Sequence, residues 1–224
     1  MREQRCEKLS QLVVWYRNFL EDGKSAAFVS CVSTRYGVAT LERMTQGPNN
    51  EVRRASVLAL GMVGNAGSIG VVAKCLQDPD RCVRLVAEIA FADLSRRQVG
   101  VNAGRLLDVA RRHIDGHRYG AAAELLEQIT SEWPEFADAW YQCAVVSFCL
   151  GQYGRAIRLS RRAIELSPHH FPAHTLEARC FMETEQMDKA LLSFERSFWV
   201  NPSQLVVKGY IDALRRQLRT NDSP

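Results

Sequence analysis

The sequence lacks paired cysteines, a strong excess of charge and any long unbroken apolar run, and each absence excludes a class of protein. The seven cysteines are Cys6, Cys31, Cys75, Cys82, Cys143, Cys149 and Cys180, an odd set without a CxxC. A disulfide framework or a zinc site needs pairs at short spacing. Free thiols, mostly buried in a reducing cytosol, are expected instead, and with them a cytoplasmic location. Lys and Arg total 29 against 25 Asp and Glu, a net charge of +4. That balance is too mild for a footprint on nucleic-acid phosphates, so no nucleic-acid partner is expected. The longest uncharged run, residues 55–73, has Gly61, Gly64, Gly67 and Gly70 in it. Glycines at that density break a membrane helix, so the run predicts two short helices joined by a turn and no membrane span. The start carries charge of both signs, and its apolar stretch is only residues 12–16. No secretory leader is expected there.

Motifs that carry chemistry are also scarce. There is no GxSxG, no Walker loop and no GxGxxG. His113 and His117 are four apart, but no carboxylate motif surrounds them, and His169 and His170 follow a proline in a turn. Arg155, Arg158 and Arg162 form a basic stripe without interleaved aromatics, which reads as a solvated face. No catalytic residue, metal ligand or cofactor site is expected.

What the sequence does contain is periodicity. Pro134, Pro168 and Pro202 recur every 34 residues, as do Ala122, Ala156 and Ala190, and Ala110, Ala144 and Ala178. Three series at one period are the mark of a repeat array. Each period holds a helix, a short turn and a second helix. The alanines sit where two antiparallel backbones approach, and the proline forbids continuation of the second helix. No strand pattern of useful length appears. The fold class is therefore all-α, an α-α superhelix in the form of a right-handed solenoid of helical hairpins.

The best copy, with Ala139-Trp140-Tyr141, Ala144, Gly151, Tyr153, Ala156, Ala163 and Pro168, resembles a tetratricopeptide repeat. Its neighbours, residues 103–133 and 171–201, resemble it less closely. The turn glycine is His117 in the first copy and Glu185 in the third. Residues 205–218 read as a terminal amphipathic helix. The first half has a period of 31: Pro48 and Pro79, Val52 and Val83, Arg53 and Arg84, Ala59 and Ala90. It resembles HEAT-like repeats, with a degraded copy at residues 25–46 and a longer helix at residues 3–20. In the helix-opening Val-Arg pair the arginine reaches the preceding turn, and Arg84 is expected to meet Asp78. HEAT-like iron hydroxylases carry His-Glu dipeptides, and none occurs here. The expected domains are residues 1–97, HEAT-like, and residues 103–219, three tetratricopeptide repeats with a C-terminal cap.

In arrays of this kind the first helices line a concave groove. The resemblance assigns to it Leu107, Arg111 and Ile114 from the first copy, Tyr141, Gln142, Val145 and Phe148 from the second, and Thr175, Arg179 and Met182 from the third. A subgroup grips a C-terminal carboxylate with Lys and Asn at fixed positions. Those positions here hold Leu107, Arg111, Gln142, Pro172 and Leu176, so that clamp is mostly absent. The implied function is a non-catalytic scaffold whose groove binds a peptide or helix of a protein partner, with the arginines reading an acidic flank. The alternative is a HEAT-like chromophore lyase or other cofactor-handling enzyme, with Cys75 and Cys82 as its thiols. A third reading is self-association through the C-terminal helix.

Overall fold

The computed structural model describes residues 10–221. Among them it has thirteen α-helices and no strand. The chain divides into two compact units, Met1–Leu94 and Ser95–Pro224.

The first unit holds α1 (Gln11–Asp22), α2 (Ser25–Arg35), α3 (Val38–Met44), α4 (Asn50–Val63), a 3-10 turn (Ala66–Ser68), α5 (Ile69–Cys75) and most of α6 (Arg81–Gln98). The glycine-rich run does break as its composition requires: α4 stops at Val63 and α5 starts at Ile69. Tyr36 and Gly37 separate α2 from α3. The N-terminal helix begins at Gln11, after a non-helical Ser10, and runs to Asp22, so it starts later and ends later than the helix expected over residues 3–20; Cys6 and the other residues before Ser10 lie outside the described part. Asn49 caps α4, its side chain accepting from the Glu51 and Val52 amides. Gly61 is required by packing. A Cβ there would sit 2.8 Å from the Ala90 Cβ, so α4 and α6 touch at this point.

The period of 31 reappears as repeated contacts. Arg53 Nη1 donates to the carbonyls of Gly47 and Pro48 at 3.0 and 3.1 Å. Arg84 Nη1 does the same to Asp78 and Pro79 at 2.7 and 3.1 Å. Arg84 thus meets Asp78 through its main chain. The Asp78 carboxylate is gripped by Arg53 from the preceding copy, at 2.8 and 2.9 Å. Arg54 holds Asp80 in the same two-pronged way at 3.1 and 3.0 Å. These two bidentate pairs tie the start of α4 to the turn before α6.

The second unit holds α7 (Val101–Asp115), α8 (Tyr119–Glu132), α9 (Ala137–Cys149), α10 (Tyr153–Leu166), α11 (Phe171–Glu183), α12 (Met187–Val200) and α13 (Leu205–Asn221). They form three hairpins and a last helix. All six alanines of the two series are sealed from solvent. With no side chain beyond Cβ, they let α7 and α8, α9 and α10, and α11 and α12 pack closely. Each first helix ends in the same motif. His117, Gly151 and Glu185 have φ of 56°, 70° and 57°. The amides of Arg118, Gln152 and Gln186 then reach back to the carbonyls of His113, Ser147 and Phe181 at 2.8, 2.9 and 2.9 Å. This is a Schellman closure repeated three times, and only the middle copy has the glycine that it favours. The second helices stop before Trp133, Ser167 and Asn201; a proline follows each, Ser167 and Asn201 are extended, and Trp133 has also left the helical region. Helix α13 turns Val207, Ile211 and Leu214 onto a core with Phe181, Ala190 and Phe194.

Candidate functional site

Helix α9 sits at the centre of the second unit. Its residues Tyr141, Val145 and Phe148 recur at i, i+4 and i+7 and so share one face. They pack at the margin of a core formed by Ala144, Ala156, Leu176 and Cys180, and each keeps part of its surface exposed. Arg111 on α7 and Arg179 on α11 occupy the same position of the first and third repeats, 68 residues apart. The Arg179 guanidinium lies 4.6 Å from the centroid of the Phe148 ring, within cation–π range. Arg111 makes a long contact with Asp108, at 3.9 Å. Burial pushes the Tyr141 hydroxyl above its ordinary pKa, while the positive charges of Arg111 and Arg179 pull it down. The charges of both guanidiniums act on this one phenol, and Val145 and Phe148 share its helix face.

Tyr141 is fixed from behind. Its ring meets the His170 imidazole at 4.9 Å. His170 precedes α11, and its Nδ1 accepts from the Ala173 amide at 3.2 Å. That leaves Nε2 as the protonated nitrogen, which donates to Asp138 Oδ1 at 2.9 Å. Burial pushes the Asp138 carboxyl up, but the His170 hydrogen bond and the charges of Arg111 and Arg96 outweigh it, so the group is held below its ordinary value. A carboxyl lowered in the folded state contributes stability that is complete above about pH 4, its unfolded value. That contribution is lost as pH falls through the folded value. Asp138→Asn is expected to flatten the acid limb of second-unit stability below about pH 4. Urea unfolding at a series of pH values measures it.

The remaining residues assigned to the groove fall in different places. Leu107 has no exposed surface and belongs to the core with Ala103, Ala110 and Ile129. Counting by repeat register puts it on the wall. It also continues the Ala103 and Ala110 stripe, and that stripe faces α8 and α9. Gln142 is buried. Ile114 and Met182 are partly buried at the edges of two cores. The Thr175 hydroxyl bonds to Ser197 Oγ at 2.7 Å, inside the third repeat, and to Gln204 Oε1 at 3.2 Å, in the link before α13. Of the assigned residues Arg179 is exposed, and Arg111, Tyr141, Val145 and Phe148 keep part of their surface exposed. Sequence reasoning missed His170 and Asp138 as a pair. They lie 32 residues apart, and only the 34-residue period places them side by side.

Among the described residues no group of His, Cys, Asp and Glu is arranged to hold a metal ion, and no helix is long and apolar enough to cross a membrane. Cys75 is buried, and that burial pushes its thiol up to about 11. Cys82 is exposed at the start of α6.

A family model described as anaphase-promoting complex, cyclosome, subunit 3 matches residues 115–197. A tetratricopeptide repeat-containing protein of Rhizobium etli is 22% identical over 145 residues, 65% of this chain and 70% of its own length. The second unit is a tetratricopeptide-type repeat array. Solved structures show the same fold at low identity. The first tetratricopeptide domain of Spaghetti (RPAP3), bound to an HSP90 peptide, superposes with a TM-score of 0.50 at 14% identity, covering 52% of this chain and 93% of its own. The Sgt2 tetratricopeptide domain of Aspergillus fumigatus gives 0.51 at 14% identity, covering 55% and 83%. The matched residues run from the end of α7 into α12, and α13 follows Pro202.

Proposed function

We propose that this protein is a non-catalytic interaction scaffold whose tetratricopeptide wall, made by α7, α9 and α11, binds an apolar peptide or helix of a partner that carries an acidic residue. The observation that carries this reading is that Arg111 and Arg179 hold matching positions in the repeats before and after that of Tyr141, and that the charge of both acts on its hydroxyl. Arginine forks suit a carboxylate, and Val145 and Phe148 offer the apolar strip for its neighbours. The Spaghetti domain, solved with an HSP90 peptide, supports peptide binding as a use of this fold. Its like need not share a ligand with this chain, since the Lys and Asn positions of the carboxylate clamp hold other residues here.

The first unit is read as HEAT-like hairpins, supported by the matched contacts of Arg53 and Arg84. A thiol-based lyase is less well supported, because Cys75 stays protonated at neutral pH. The free cysteines of the described residues support a reducing, cytoplasmic location. Self-association has its own support in the exposed apolar groups Leu205 and Val206 on α13. The test of the main reading is binding of peptides by the natural chain and by a variant with Arg111→Glu and Arg179→Glu. Specific loss of the acidic peptides is expected. Equal binding by both proteins would reject the wall.

A further inference from the structure

The opposite face of α9 carries a second feature. A cavity of about 380 Å³ lies among α8, α9 and α10. Trp140, Cys143, Val146 and Ser147 of α9 line it, with Leu150 just past the helix end; Trp140, Cys143, Ser147 and Leu150 are spaced i, i+3, i+7 and i+10. At 100° per residue this face points away from Tyr141, Val145 and Phe148. The Trp140 indole is held in place by its Nε1–H, which donates to the Pro134 carbonyl at 2.9 Å.

Comparison with the next repeat explains why the space is open. Thirty-four residues on, Phe181 stands for Ser147, Glu177 for Cys143 and Ile157 for Ala123. There the volume is filled. Phe181 is buried in the core, and Glu177 is bonded to Arg161 at 2.7 Å and to Ser193 at 3.1 Å. The Arg161 guanidinium and the Lys189 ammonium stand 5.9 and 5.8 Å from the centroid of the Phe181 ring. One repeat therefore holds a phenyl ring beneath two cations. The preceding repeat keeps the frame but lacks the ring. Arg155 stands in the place of Lys189, and Glu127 in the place of Arg161. Both line the cavity. Exchanging a cation for a carboxylate on one side changes what the ring must carry.

We propose that this cavity is a binding site for a small planar aromatic molecule bearing an N–H or O–H donor, of the indole or phenol class. The ring takes the space that Phe181 fills in the next repeat, with Arg155 over its face. The donor meets the Glu127 carboxylate. Apolar cavities of smaller size hold a benzene ring, so the volume suffices for one or two fused rings. The site is separate from the peptide wall and does not depend on it.

The test is an NMR titration of the full chain with indole. Saturable shifts are expected at the Trp140 side-chain N–H and the Ser147 amide. Ser147→Phe supplies the missing ring from the protein itself, and it should weaken indole at least tenfold while the chain stays folded by circular dichroism. Ala123→Ile, on the exposed side of α8, is the second block and should act the same way should Ser147→Phe not fold. Glu127→Gln should weaken indole but leave toluene unchanged. Absence of saturable shifts in the natural chain, or undiminished binding by the folded blocking variants, overturns the proposal. Equal losses for indole and toluene with Glu127→Gln would overturn the donor assignment.

Discussion

Reversing both wall arginines, Arg111→Glu with Arg179→Glu, is expected to reduce binding of an acidic apolar peptide by about 30- to 1,000-fold. Each guanidinium is placed to make a charge-assisted hydrogen bond, worth about 1.5–3 kcal/mol. Non-additivity and solvent exposure bring the pair to about 2–4 kcal/mol, and about 1.4 kcal/mol is tenfold. Reversal also replaces attraction by repulsion, so the preference should invert: the natural chain takes a Glu-containing peptide over its Gln counterpart, and the variant the Gln peptide over Glu. Fluorescence anisotropy with matched peptides measures both. Raising the salt concentration should shrink the difference, because the Arg111 side chain is partly exposed and Arg179 is exposed. Folding should be little affected. Arg111 has its 3.9 Å contact with Asp108 and its share of the charge that holds the Asp138 carboxyl down to lose, and Arg179 its place over the Phe148 ring. A variant that unfolds would place these arginines in the structure of the array instead of on its binding wall.

Phe194→Ala is expected to be the most damaging single truncation in the second unit. Phe194 has no exposed surface and stacks on Tyr210 of α13, with 5.0 Å between centroids and 6° between planes. Its removal leaves a cavity among Ala190, Ile211 and Leu214, where the core joins α12 to α13. Truncations of this kind cost about 3–5 kcal/mol. The loss should fall first on α13, which has no second helix of its own beyond it among the described residues. Hydrogen exchange reads this directly: amides of α13 should lose protection before those of α9. Equal loosening of both helices would mean that α13 is not a separable cap.

Backbone positions were the most legible part of the fold. The alanine and proline series mark the helix crossings and the stops, because close approach and a missing amide leave few alternatives. The turn at His117 and Glu185 also follows the period, although neither residue favours a left-handed conformation; the register dictated the backbone over local preference. Side-chain partners were less legible. Arg84 reaches Asp78 as its spacing suggests, yet the Asp78 carboxylate belongs to Arg53, 25 residues away, because α4 crosses in front of the turn. Leu107 counts as a wall residue by register and is buried by its stripe. The open cavity depends on what Ser147 lacks, and only comparison with Phe181 makes a lack visible.

The most direct test of the binding wall is an amide NMR titration with an acidic apolar peptide, mapped residue by residue. Shifts are expected to gather on α7, α9 and α11 around Arg111, Tyr141, Val145 and Arg179. Shifts gathered on α8, α10 and α12, with Tyr141 and Arg179 unmoved, would contradict it.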